Sequence, residues 1–72
     1  MSDWEAPIIY FTDIDSSDNA FALVRAFQGY IGLTLSLEKD GDIAVFFPVE
    51  VGEKLIAALQ AALSTAKAGP SG

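Results

Sequence analysis

The chain contains no cysteine and no histidine. Without cysteine there are no disulfides and no thiolate ligands, so neither cross-links nor structural zinc can hold the fold together. The usual nucleophile and base pairings are missing as well, and a serine would have to lean on lysine or aspartate. None of Ser16, Ser17, Ser36 or Ser64 stands in a Gly-x-Ser-x-Gly setting. Gly29, Gly32 and Gly41 lack the spacing of a phosphate loop and its following Lys-Ser/Thr. We therefore expect a protein that is not an enzyme, with no catalytic residues, no cofactor-binding residues and no cofactor.

Basic residues are scarce too. Four lysines and arginines face ten aspartates and glutamates, for a net charge of −6. Such a surface repels phosphate backbones and anionic lipid, so direct binding to nucleic acid or to a membrane is not expected, whereas a basic protein surface would be attracted. No apolar run approaches the about 18 residues of a membrane span. The amino terminus, Met1-Ser2-Asp3-Trp4-Glu5, is acidic where a signal peptide is basic. A cytoplasmic location is the resulting expectation.

What the chain does have is apolar side chains, at 51% of 72 residues. A domain of this size has much surface and little interior, and its core rarely nets more than about 3–5 kcal/mol. Some apolar side chains should therefore be left over for a partner. Residues 1–67 are expected to form a single small domain and 68–72 a flexible carboxy-terminal tail.

The stretch 30–47 reads as a β-hairpin. Ile31, Leu33, Leu35 and Leu37 alternate with Tyr30, Gly32, Thr34 and Ser36, and Ile43, Val45 and Phe47 resume the alternation after Glu38-Lys39-Asp40-Gly41-Asp42. A type I turn at Lys39-Asp40 with Gly41 left-handed would close the loop between Glu38 and Asp42 and pair Leu37 with Ile43, Leu35 with Val45 and Leu33 with Phe47. Leu35 then sits mid-strand on the core face. Before the hairpin, residues 1–6 read as a loose lead-in, 8–12 as a short first strand opened by Pro7, and 13–19 as a connector dense in turn formers.

Residues 20–28 fit either a strand or a helix capped by Ser16 or Ser17. We take the strand, with Phe21, Leu23 and Phe27 on the parity of the hairpin's apolar side. From Val49 the period becomes helical: Leu55, Ile56, Leu59, Ala62, Leu63 and Ala66 share one face, Pro48 suits the entry, and Lys67 suits the negative carboxyl end. The expected fold is α+β, an antiparallel β-meander of three or four strands with one carboxy-terminal α-helix packed on one face.

Two acidic clusters invite a metal reading, and neither carries it. Asp13-Ile14-Asp15-Ser16-Ser17-Asp18 starts like a calcium loop but holds Asp18 where glycine is needed and Val24 where the bidentate glutamate belongs. Glu38, Asp40 and Asp42 surround a turn that calls for Asp and Gly on backbone grounds. No metal site is expected. The candidate interface is instead Tyr30, Thr34 and Phe46, which fall opposite the core parity beside small residues and leave a flat apolar patch.

The function that composition and patterning support is a small acidic non-catalytic interaction module that binds another protein and itself, as a homodimer. The alternative is a phage-type acidic inhibitor or nucleic-acid mimic that blocks a basic groove on a nucleic-acid-binding enzyme.

Overall fold

A computed structural model describes residues 3–69. Five strands, β1 (Trp4–Glu5), β2 (Ile9–Thr12), β3 (Asn19–Phe27), β4 (Tyr30–Leu37) and β5 (Gly41–Pro48), are followed by one helix, α1 (Val49–Ala68). The fold is α+β. β3, β4 and β5 form an antiparallel meander, and both β1 and β2 pair antiparallel with the free side of β3.

The lead-in is ordered, contrary to expectation. Trp4 pairs with Ala26 and Glu5 with Arg25, while the amides of Asp3 and Ala6 donate to the carbonyls of Ala26 (2.8 Å) and Val24 (2.9 Å). The half of β3 beyond β2 would otherwise carry unpaired backbone groups. Between Glu5 and Ile9 the register slips by one residue, at Pro7, which has no N–H to give a ladder. That bulge places even-numbered Trp4 and odd-numbered Ile9 and Phe11 on the same side of the sheet. The first two residues of the lead-in and residues 70–72 of the expected tail lie outside the described residues.

The strand reading of residues 20–28 holds, but its parity does not. The two-residue turn Gln28-Gly29, with Gly29 at φ 91°, sets Phe27 opposite Tyr30. Odd residues of β3 thus face even residues of β4. Phe21, Leu23 and Phe27 lie on the side of Ser36, Thr34 and Tyr30, and it is Ala20, Ala22, Val24 and Ala26 that join Leu37, Leu35, Leu33 and Ile31.

The hairpin also closes differently. Leu37 pairs with Gly41, Leu35 with Ile43, Leu33 with Val45 and Ile31 with Phe47, a shift of two residues from the turn-based expectation. Because side chains alternate with period two, the shift leaves every residue on its expected face. In this register the Glu38 amide donates to the Asn19 carbonyl (3.0 Å) and the Lys39 amide to Asp18 Oδ2 (2.8 Å), so the tip is tied to the start of β3.

Helix α1 follows Pro48 without a connector and touches only β4 and β5. The contact is close at Gly52, where a Cβ would come 2.6 Å from Ile31 Cδ1 and 3.5 Å from Phe47 Cε1. Beyond Leu55 every described helical residue is exposed. The molecule is accordingly elongated, 45 × 30 × 18 Å, and its interior is thin. Among the described apolar side chains only Ala20 and Leu23 are buried.

Candidate functional site

The sheet has two unlike faces. Paired residues of neighbouring strands point the same way, so one face collects Trp4, Ile9 and Phe11, the alanine-rich row of β3, the leucines of β4, and Ile43, Val45 and Phe47 of β5. This leucine face holds no charged residue on its strands. Among the described residues α1 meets this face at Gly52, beside Ile31 and Phe47, and Ala20 at the other end is buried. Farther from the helix, Leu35 is 45% exposed and Ile43 62% exposed. Leu35, expected in the core, is thus only partly covered among the described residues, because α1 is seated near Gly52 and does not contact β3.

The opposite face carries the three residues singled out from the sequence. Tyr30, Thr34 and Phe46 do share it, each paired across β3, β4 and β5 with residues of the same side. Phe27 stacks on Tyr30 with centroids 4.6 Å apart, and Phe46 meets both rings edge-on at 5.9 and 6.3 Å. Phe46 lies over Gly32, where a Cβ would stand 2.9 Å from its ring. Part of the aromatic surface is thus used inside the chain, and Trp4 does not cover it, being on the other face. Phe46 nonetheless remains 58% exposed. Its place on that face was legible from parity; the contribution of Phe27 was not, because the parity of β3 depends on the length of the turn before Tyr30.

The acidic groups gather at one end of the sheet, where the loop between β2 and β3 meets the turn between β4 and β5. Asp13, Asp15, Asp18, Glu38, Asp40 and Asp42 all lie there, with Lys39 the one cation among them. Their hydrogen bonds are structural. Asp13 accepts from the amide (2.9 Å) and hydroxyl (2.7 Å) of Ser16, which holds its carboxyl below the ordinary 3.8 of an aspartate. Asp18 is buried and accepts from the amides of Asn19 and Lys39. Glu38 accepts from Asn19 Nδ2 at 2.8 Å, and Asp42 from the Ser36 hydroxyl. Among the described residues no three acidic side chains converge as metal ligands would.

Between these turns and the uncovered part of the leucine face runs an open groove of about 400 Å³, floored by Phe11, Ala20, Leu35, Leu37 and Ile43 and rimmed by Asp13 and Asp40. Its lining is apolar with carboxylates at the edge, which suits side chains with an apolar body. Among the described residues no helix is long and apolar enough to cross a membrane. Comparison with protein-family models, with curated proteins and with solved structures finds no match for this chain.

Proposed function

We propose that this protein is a small, non-catalytic protein-protein interaction module that associates with itself. The observation that carries the reading is the uncovered leucine face: a sheet side without a charge, exposed at Leu35 and Ile43, in a chain whose own core is reduced to a few side chains. Contiguous apolar surface on that scale marks an interface. The aromatic patch of Tyr30, Thr34 and Phe46 is a second, smaller contact surface on the other side. Static light scattering across the micromolar range tests self-association, and a folded monomer at hundreds of micromolar would refute it.

A second reading, a cytoplasmic acidic inhibitor that occupies a basic groove on another protein, is favoured by the three carboxylates, Asp13, Asp40 and Asp42, that line the apolar groove. Charge complementarity of that kind steers association and weakens with added salt. Binding of a basic target that is insensitive to salt would set this reading aside.

A further inference from the structure

Building on the self-association reading, we infer that the leucine face is covered by α1 of a second copy of this chain, exchanged reciprocally so that each helix lies along β3 of the other protomer. The face is shaped for a helix. Ala20, Ala22, Val24 and Ala26 form the floor along β3, alanine at all but one position, with Ile9 and Phe11 of β2 and Trp4 of β1 on one side and Leu33 and Leu35 of β4 on the other. Neighbouring strands are about 4.8 Å apart, so the backbones that carry these walls are about 10 Å apart, and a helix of about 10–12 Å diameter laid above β3 would reach both rows of side chains. Lengths agree as well. The floor from Ala20 to Ala26 runs about 20 Å, and the helical stretch from Leu55 to Ala66 about 17 Å.

The same chain supplies the matching surface. Gly52 touches the leucine face, and by helical periodicity Ile56, Leu59 and Leu63 continue its stripe, yet Leu59 is 60% exposed. A chain's own helix cannot fill the trough, because α1 starts directly after Pro48, is seated at Gly52 on β4 and β5, and does not touch β3. One protomer therefore presents an empty trough and an unseated stripe that meet at Gly52. A twofold operation satisfies both at once, since the surface that receives and the surface that inserts belong to each copy.

The area agrees. The chain exposes 5737 Å², whereas a folded monomer of its 7.6 kDa should expose about 4,300 Å². The excess is about 1,400 Å². A stable interface of standard size takes about 800 Å² from each partner.

Two measurements test this. Since the chain has no cysteine, single thiols can be placed at will: Ala22→Cys in the trough and Leu59→Cys on the stripe. With a short bis-maleimide, the mixture of the two should give the cross-linked dimer, and neither variant alone should do so comparably. Independently, Leu59→Lys and Leu35→Glu should each weaken self-association by at least about 30-fold, as loss of a buried interface anchor does. Mixing them should restore it, because the heterodimer keeps one intact helix-on-sheet contact and opposes lysine to glutamate in the other. Cross-linking of Leu59→Cys chiefly to itself, or of Phe46→Cys to itself, in a wild type that is dimeric would overturn the exchanged arrangement while leaving self-association standing. A monomeric, folded wild type would remove both.

Discussion

Asp18 stands where two strand connections meet, and its carboxylate does the work of a backbone partner. It accepts from the Asn19 amide (3.1 Å) and from the Lys39 amide (2.8 Å), while Ser16 Oγ accepts from its own amide at 3.2 Å. Asp18→Ala should cost about 1–3 kcal/mol, since a donor shielded from water loses its partner. Amide exchange at Lys39 should rise in that variant and much less in Asp18→Asn, which keeps one acceptor oxygen. Unchanged exchange at Lys39 would show that the tip of the hairpin is held by something else. Asp13 gives a pH signature. Its carboxyl is depressed by the Ser16 bonds, so the charged form is favoured by folding. The stabilisation is present above the unfolded value and is lost as pH falls through the folded one. In a carbon-detected titration Asp13 should therefore titrate below its ordinary range, and Ser16→Ala, which removes the hydroxyl and keeps the amide donor, should bring it part of the way back up.

Gly52 shows what an element needs and what a propensity scale omits. A helix-interior glycine ordinarily gives up about 1 kcal/mol relative to alanine. Here a Cβ would meet Ile31 Cδ1 at 2.6 Å, so Gly52→Ala should return little of that gain, and the bulkier Gly52→Val should cost about 1–3 kcal/mol by prying α1 from Ile31 and Phe47. Thermal melts of both variants check this. Apart from β1, which lies in the stretch expected to be a loose lead-in, the elements were legible in the sequence. Alternation marked β4 and β5 and a switch to helical period marked α1, whereas the residues of β3 fitted a strand or a helix equally from the sequence. What was not legible depends on contacts between elements. The parity of β3 follows from a two-residue turn, and the tip of the hairpin is tied to Asp18 and Asn19 outside it. The candidate site was half legible: Tyr30, Thr34 and Phe46 were placed on one face correctly, but the larger exposed surface was assigned to the core, since a period-two pattern says which side chains share a face and not whether anything covers it.

At the scale of the whole molecule, charge and apolar surface push in opposite directions. Each protomer carries −6, and two of them brought together repel. That repulsion acts between exposed groups through water, where at physiological salt it is screened beyond about 8 Å. Apolar burial depends on area and is strengthened, not screened, by salts excluded from the surface. Self-association should therefore tighten as sodium chloride rises from about 0.05 to about 0.5 M, opposite to the weakening expected for a carboxylate-led contact with a basic target. Coupling of folding to association adds a second expectation. With so little buried inside one chain, a dimer of the proposed kind would carry much of the stability, so the midpoint of thermal unfolding should climb with protein concentration by mass action. Amide protection beyond Leu55 of α1 should fall in step on dilution, because a helix stretch without tertiary cover is marginal in water. A midpoint that stays fixed over about a hundredfold range of concentration, with helix protection unchanged, would mean that a single chain holds its fold alone. The leucine face would then be a surface kept open for a different protein.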